Sequence, residues 1–235
     1  MDLKEYFDKL NIELSDRQIE QLNTFFDMLV EKNKVMNLTA ITEYDEVVIK
    51  HFADSAALAI KYDMGKVKSM IDVGTGAGFP GIVLKIIFPD IRMVLLDSLN
   101  KRLAFLNEVI ETLELKDIVT VHGRAEDIGH DAKYREQFDL CVSRAVANLS
   151  VLSEYCLPFV KVGGDFVSYK AGGCDDEIIE AQKAIETFAS SLNDVATLIL
   201  PDTDYSRVFV VIKKNGKLNR NYPRKAGTPS KNPIK

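Results

Sequence analysis

The sequence predicts an α/β protein built on a mostly parallel, seven-stranded sheet. From Lys66 onward, short apolar runs alternate with helical segments, which is typical of a parallel sheet covered by helices on both faces. The first 65 residues show helical spacing without a strand pattern, so we expect an N-terminal helical cap. Near the other end, a turn at residues 202–204 separates two strands that we expect to pair as an antiparallel hairpin.

The elements can be placed in order along the chain. A capping box at Ser15–Gln18 predicts the start of an amphipathic helix over 16–33, and a second helix is expected over about 43–62. The predicted strands cover 67–73, 92–97, 118–122, 138–143, 164–170, 195–200 and 207–213, and the helices between them cover 80–88, 101–115, 149–160 and 176–192. Residues 124–136 are predicted to be irregular apart from an acidic turn.

This order divides the chain into three parts. The cap covers residues 1–65, the α/β domain covers 66–214, and an arm follows at 215–235. Because the arm is rich in Pro, Gly, Asn and Lys, we expect it to be mobile.

Composition excludes several classes of protein. The chain has 235 residues, of which 46% are hydrophobic and 28% charged, as in ordinary globular proteins. No apolar run approaches the roughly 20 residues that cross a bilayer, and the N-terminus lacks a signal-peptide pattern. Cys141, Cys156 and Cys174 are widely spaced and form no CxxC motif, so we expect a cytoplasmic protein with reduced thiols and without a metal site.

A glycine-rich turn follows the first predicted strand. Residues 70–81 read Met-Ile-Asp-Val-Gly-Thr-Gly-Ala-Gly-Phe-Pro-Gly, with four glycines in eight positions. Glycine lets the backbone adopt positive φ and approach a ligand closely. The helix that follows directs its N-terminal N–H groups to the same place. We therefore predict a nucleotide-type cradle.

Two kinds of nucleotide cofactor fit this cradle. Asp97 ends the second strand, 23 residues after Gly74, where an acid can accept both hydroxyls of a ribose. NAD and S-adenosylmethionine both carry such a ribose. The spacing Gly76-x-Gly78-x-x-Gly81 also satisfies the dinucleotide fingerprint, so this motif is compatible with either cofactor.

Four features favour S-adenosylmethionine. Asp72 precedes the glycines, and a carboxylate facing the cradle suits an amino group and a sulfonium better than a pyrophosphate. The motif follows a long helical cap instead of opening the chain. The third strand ends in an acidic turn in which Glu126 could meet the amino group of adenine. The final antiparallel hairpin is also typical of methyltransferases that use this cofactor.

Several longer motifs make the chain recognisable. They are Asn37-Leu38-Thr39-Ala40-Ile41, His51-Phe52-Ala53-Asp54-Ser55, Asp72–Gly81, Gly123-Arg124-Ala125-Glu126, Ser143-Arg144-Ala145-Val146-Ala147 and Tyr169-Lys170-Ala171-Gly172. Over nearly its whole length the chain resembles the bacterial small-subunit ribosomal RNA guanine-N7 methyltransferase G family, also called the glucose-inhibited division protein B family.

The resemblance implies a Rossmann-like class I methyltransferase fold and transfer of a methyl group from S-adenosylmethionine to N7 of one guanine in 16S ribosomal RNA. It also implies that a set of residues lines the cofactor site, namely Gly74, Phe79, Ala125, Glu126 and Arg144. To these we add Gly76, Asp72 and Asp97 from the position of the turn and the strand ends. Arg144 is expected to bind a carboxylate, either that of the methionine moiety or Asp72, or an RNA phosphate.

The residues present are compatible with N7 chemistry. Guanine N7 carries a free lone pair and loses no proton on methylation, so positioning can supply most of the catalysis. The Ser143–Val146 segment lacks the Asn/Asp-Pro-Pro-aromatic loop of many amino-group methyltransferases, and Cys141 lies in an apolar strand. No general base is evident. Other possibilities are a methyltransferase for another RNA, a small molecule or a protein, a nicotinamide oxidoreductase, and a non-catalytic RNA-binding assembly factor.

Charge is distributed unevenly along the chain. Residues 206–235 carry nine basic and no acidic side chains, whereas the rest carries 21 basic and 35 acidic, a net charge of −14. A basic tail on an acidic body indicates a polyanionic partner. We expect 16S ribosomal RNA or a small-subunit particle to bind a monomer through Lys170, Arg207, Arg220, Arg224, Lys225, His51 and Asp54. Removing residues 216–235 is then expected to weaken RNA binding and spare cofactor affinity.

Overall fold

One seven-stranded sheet organises the chain, and the computed structural model describes residues 1–235. The strands are β1 Ser69–Val73, β2 Arg92–Asp97, β3 Ile118–His122, β4 Phe138–Arg144, β5 Val160–Ala171, β6 Ser190–Ile199 and β7 Ser206–Lys214. Their order is β3-β2-β1-β4-β5-β7-β6. The first five strands pair in parallel, and β7 pairs antiparallel with both β5 and β6. The predicted sheet and its C-terminal hairpin are thus confirmed.

The strand β1 lies at the centre of the parallel part of the sheet. Asp72 pairs with Leu95 of β2 on one side and with Val142 of β4 on the other. All five residues of β1 are buried, which explains why the strand reads as a nearly continuous apolar run. From β1 the chain runs outward first to β2 and β3, and later to β4 and β5. The carboxyl ends of β1 and β4 therefore form the switch point where ligands of such sheets bind.

Eleven α-helical segments cover the sheet and form the cap. They are α1 Leu3–Lys9, α2 Asp16–Met36, α3 Tyr44–Val47, α4 Asp54–Ala56, α5 Leu58–Lys61, α6 Gly81–Ile87, α7 Asn100–Thr112, α8 Ala125–Ile128, α9 Leu149–Cys156, α10 Asp175–Thr187 and α11 Thr228–Lys231. The predicted capping box forms, since Ser15 and Gln18 cap each other at the start of α2. The helix ends where Asn37 adopts a left-handed conformation with φ of 50°. No helix has the length and apolar character needed to cross a membrane.

Two helices end earlier than the periodicity predicts. The helix expected to reach Leu192 stops at Thr187, because Ala189 takes a positive φ of 52° and β6 begins at Ser190. The helix expected to reach residue 160 becomes a 3-10 turn after Cys156. Proline at position 158 cannot donate the backbone hydrogen bond that a continuing helix requires.

The second cap helix is interrupted by a π-helix. Residues 43–62 were expected to form one helix, but Val48–Ala53 forms a π-helical segment between α3 and α4. A π-helix widens the turn by one residue and therefore changes which side chains share a face, and such segments occur frequently at functional sites. This segment carries His51, and Asp54 follows it directly.

The cap and one face of the sheet share a single apolar core. Phe25 of α2 is fully buried, and its ring lies 5.8 Å from Phe52, 5.3 Å from Phe79 and 6.5 Å from Phe105, measured between ring centroids. Phe79 belongs to the glycine-rich turn and Phe105 to α7. The cap therefore supports the turn directly.

The C-terminal arm is packed against the domain, so the expectation of a mobile arm is wrong. Leu218, Pro223 and Pro229 are buried. The Tyr222 ring meets Phe188 edge-on at 5.2 Å between centroids. Arg135 donates to the backbone carbonyl of Tyr222 at 2.8 Å. These apolar and polar anchors offset the entropy that a segment rich in glycine and proline loses when it becomes ordered.

Candidate active site

A cavity of about 580 Å³ lies at the carboxyl ends of the central strands. Its wall comes mainly from the glycine-rich turn, the ends of β2 and β4, and the α8 region. Leu38, Thr39 and His51 of the cap complete one side, and Tyr155 and Ser230 contribute to another. Its position at the switch point and its volume are those of a small-ligand site.

The glycine-rich turn places main-chain atoms without side chains at the wall of the cavity. Gly74 has φ of 74°, and a Cβ there would lie only 2.5 Å from Cγ2 of Val146. Gly76 has φ of 61°, and a Cβ there would meet nothing closer than the carbonyl oxygen of Gly74 at 3.9 Å. Any side chain at Gly76 would thus extend into open space. The predicted cradle is present.

Asp97 fixes this turn from the neighbouring strand. Its Oδ2 accepts the N–H of Gly76 at 2.9 Å, and its Oδ1 accepts the N–H of Leu99 at 2.8 Å. Arg102 lies 3.4 Å from Oδ2. The residue lines the cavity, as the strand-end argument predicts.

Asp72 occupies a different place from the one expected. The sequence suggested a carboxylate facing the cradle, but Asp72 is completely buried and does not line the cavity. Its Oδ2 accepts the N–H of Gly81 at 2.9 Å and so holds the first residue of α6, while Oδ1 has no hydrogen-bond partner. Burial raises the pKa of Asp72 to about 6.

Glu126 lies on the cavity wall next to Ala125, where the sequence placed both. The side chain is buried, and its Oε1 accepts from the guanidinium of Arg124 at 3.0 Å and from the N–H of Gly227 at 2.8 Å. Burial opposes ionisation of this carboxyl, but the hydrogen bonds from Arg124 and Gly227 outweigh burial and lower its pKa. Oε2 has no protein donor and is the free acceptor of this group.

Phe79 carries two groups on its ring. The imidazole of His51 stacks on it with centroids 4.5 Å apart, and the Arg144 guanidinium carbon lies 5.2 Å from the ring centroid. Arg144 donates to Oδ2 of Asp54 at 2.6 Å and to the carbonyl of Lys50 at 3.2 Å. Its carboxylate partner within the protein is therefore Asp54.

His51 is held as a neutral imidazole. Its Nε2 lies 2.8 Å from Oγ1 of Thr39, and its Nδ1 lies 3.1 Å from the carbonyl oxygen of Lys50. Burial, followed by the positive charge of Arg144, lowers the pKa of His51 to about 4. Of the expected substrate-facing residues in the cap, His51 reaches the cavity and Asp54 does not.

Most of the cations expected to contact RNA have partners within the protein. Arg207 donates to both oxygens of Asp54, at 2.5 and 2.9 Å. Lys170 pairs with Glu177 at 2.5 Å, and Arg224 pairs with Glu154 at 2.6 Å. The two remaining expected cations, Arg220 and Lys225, are exposed and make no ion pair.

Sequence reasoning missed several wall residues. Thr39 and Val146 lie in motifs that were noticed but given no role, and Thr75 lies between two cradle glycines. Tyr155 and Ser230 come from a helix and from the arm, where no local pattern distinguishes them. Only the folded chain brings these two to the cavity.

The strand order with its antiparallel β7, together with a glycine-rich turn and the strand-end carboxylate of Asp97 at one cavity, defines an S-adenosylmethionine-dependent class I methyltransferase. The chain belongs to the GidB family, described as rRNA small subunit methyltransferase G, whose family model matches residues 18–202.

Individual relatives agree with this assignment. The chain is 49% identical over 225 residues to a ribosomal RNA small subunit methyltransferase G of Lachnoclostridium phytofermentans, covering 96% of this chain and 93% of that protein. It is also 49% identical over 235 residues to the protein of that name from Alkaliphilus metalliredigens, covering 100% and 98%. The structure of a putative O-methyltransferase from Klebsiella pneumoniae shares the fold, with a TM-score of 0.56 at 14% identity over 91% of this chain and 96% of that one.

The cavity fits S-adenosylmethionine, the cofactor of this enzyme. Gly76 leaves space for close approach, and Asp97 and Oε2 of Glu126 are acceptors for hydroxyl and amino groups. When bound, the cofactor supplies an electrophilic methyl group on a sulfonium.

The lowered pKa of His51 makes a prediction about acid stability. Between pH 6.5 and 4 the unfolded chain binds a proton at this residue and the folded chain does not, so stability falls as the pH decreases through that window. Asp72 has the opposite effect, because its raised pKa lets the folded state bind the proton first. The wild-type curve alone therefore mixes two opposing trends.

A comparison with His51→Asn separates them. When the pH is lowered from 7 to 5, the free energy of unfolding of the wild type should decrease by about 2 kcal/mol more than that of the variant. One pKa unit corresponds to about 1.4 kcal/mol. Urea denaturation at each pH measures this difference. His122→Asn, at an exposed ring, is the control and should reproduce the wild-type pH dependence. Parallel curves for wild type and His51→Asn would contradict the assignment of a neutral, half-buried imidazole.

Proposed function

We propose that this enzyme transfers the methyl group of S-adenosylmethionine to N7 of one guanine in 16S ribosomal RNA. The family assignment supports the substrate class, and the cavity at the switch point supports the donor. The observation that carries the choice of atom is that no cysteine lines the cavity, and methylation at N7 requires neither a cysteine nucleophile nor a general base. A monomer acting on the small subunit in the cytoplasm is part of this proposal.

The titratable groups near the cavity have other tasks. Asp97 and Glu126 accept backbone N–H groups, and the Thr39 hydroxyl lies within hydrogen-bond distance of His51 Nε2. Cys141 is completely buried and outside the cavity, and burial raises the pKa of its thiol well above the usual value. Guanine N7 is compatible with these residues, because its lone pair can attack the methyl group without loss of a proton.

Catalysis then depends on positioning and on exclusion of water. The cap contributes by closing one side of the cavity with Thr39 and His51. Phe79, packed on Phe25, gives that side a rigid aromatic surface. These groups hold reactants without taking part in proton transfer.

A positive charge lies next to the cavity. Asp54 is one carboxylate shared by two guanidinium groups, Arg144 and Arg207, so the cluster keeps a net positive charge. Arg144 lines the cavity and Arg207 is about one-fifth exposed. We propose that this positive charge binds an anionic group of the reactants, either the carboxylate of the cofactor or an RNA phosphate.

The direct test is mapping of modified nucleosides in ribosomal RNA by mass spectrometry. Cells that lack this protein should lose one 7-methylguanosine from 16S ribosomal RNA. The wild-type gene should restore it, whereas Gly76→Arg, which fills the cavity, should not. Unchanged 7-methylguanosine in the deletion strain would refute the proposed substrate.

The free cations of the arm give a second prediction. Lys217, Arg220 and Lys225 are three of the arm cations that are exposed and make no ion pair, so they are available to phosphates. Replacing all three with Gln should reduce the slope of log affinity against log salt for 16S ribosomal RNA by about 2, since each phosphate contact contributes about 0.7 to 0.9. Filter binding at several salt concentrations measures the slope.

A matched control uses cations at the opposite edge of the sheet. Lys68, Arg92 and Lys116 are exposed and lie at the amino ends of β1, β2 and β3. Their replacement by Gln removes the same charge. An equal change in slope for the two triple variants would show that the arm has no special role.

A further inference from the structure

The arm reaches the wall of the cofactor cavity. Ser230 of α11 lines the cavity together with Tyr155 of α9 and Glu126 of α8. The N–H of Gly227 donates to Oε1 of Glu126 at 2.8 Å. The arm is therefore in direct contact with a cofactor-site carboxylate that lies about 100 residues earlier in the sequence.

Two anchors hold the segment before this contact. Arg224 pairs with both oxygens of Glu154, whose side chain is 1% exposed, and its backbone N–H donates to the same carboxylate at 2.6 Å. His130 Nε2 lies 2.7 Å from the carbonyl oxygen of Pro223. Because Glu154 is buried, loss of Arg224 would leave this carboxylate uncompensated, so the pair anchors the arm firmly. The path of the chain towards Gly227 is thus fixed by the body of the protein.

The hydrogen bond from Gly227 determines the orientation of the Glu126 carboxylate. Arg124 and Gly227 both donate to Oε1, so Oε2 is the oxygen without a protein donor. A carboxylate held by two donors on one oxygen has a defined orientation, and its second oxygen can accept from a ligand in the cavity. Without Gly227, the carboxylate would lose the donor that the arm supplies and would keep the Arg124 side chain, which is 49% exposed.

We infer that residues 227–230 belong to the cofactor-binding site, and that docking of the arm and binding of S-adenosylmethionine strengthen each other. The inference rests on the proposed cofactor site. Binding linkage is reciprocal, so a docked arm that raises cofactor affinity is itself held more firmly when the cofactor is bound. In contrast to the expectation from the sequence, this linkage predicts that removal of the arm lowers cofactor affinity.

Hydrogen exchange on the unaltered protein tests this linkage. Saturating S-adenosylhomocysteine should slow amide exchange in residues 226–231 by about tenfold, the equivalent of one charge-assisted hydrogen bond. The turn at 201–205, which lies outside the cavity, is the internal control and should not change. Unchanged exchange at 226–231, with binding demonstrated by calorimetry in the same sample, would overturn the inference.

Two truncated chains test whether the arm contact affects cofactor affinity. The chain 1–231 keeps Gly227 and Ser230, whereas the chain 1–225 loses both and keeps the Arg224–Glu154 pair. Affinity for S-adenosylhomocysteine should be unchanged in the first and about tenfold weaker in the second, by the same hydrogen-bond argument. Equal affinity would contradict the inference, and the exchange experiment decides the matter if 1–225 does not fold.

These outcomes are distinct from a failure of the proposed function. If the wild-type chain does not bind S-adenosylhomocysteine at all, the cofactor assignment fails. If it binds and the arm neither changes its exchange nor affects affinity, only the role of residues 227–230 fails.

Discussion

Two carboxylates at the ends of adjacent strands hold the glycine-rich turn on which the site depends. Asp97 accepts the N–H of Gly76, and Asp72 accepts the N–H of Gly81. One bond fixes the turn beside the cavity and the other fixes the start of α6. Because both aspartates belong to the centre of the sheet, they hold the positive-φ backbone of the turn in a fixed position.

A third carboxylate joins the cap to the sheet. Asp54 follows the π-helical segment and pairs with Arg144 at the end of β4 and Arg207 at the start of β7. Burying an unpaired carboxylate would be costly, so the two guanidinium groups make this arrangement possible. Because Asp54 is paired and buried, it is not free to contact RNA. Arg207 is also paired, and only about one-fifth of its side chain is exposed. The cap, the cavity and the antiparallel edge are therefore connected through one ion cluster.

The sequence was most informative where function depends on local geometry. The cradle glycines and Asp97 could be predicted because the end of a parallel strand determines where the next residues lie. The orientation of Asp72 could not, because a strand buried on both faces gives no alternation to distinguish its sides. The docked arm was missed because its anchors, Arg135 and Glu154, lie far away in sequence. Ion pairing of Lys170 depends likewise on Glu177, which only the fold brings near.

Calorimetric titration with S-adenosylmethionine and with NADH decides whether the cradle binds a methyl donor or a nicotinamide dinucleotide. We predict saturable binding of S-adenosylmethionine, no binding of NADH, and loss of S-adenosylmethionine binding in Gly76→Arg. Gly163→Arg is the matched control, because Gly163 also has positive φ and open surroundings but lies outside the cavity. Binding of NADH without binding of S-adenosylmethionine would show that the cofactor assignment is wrong.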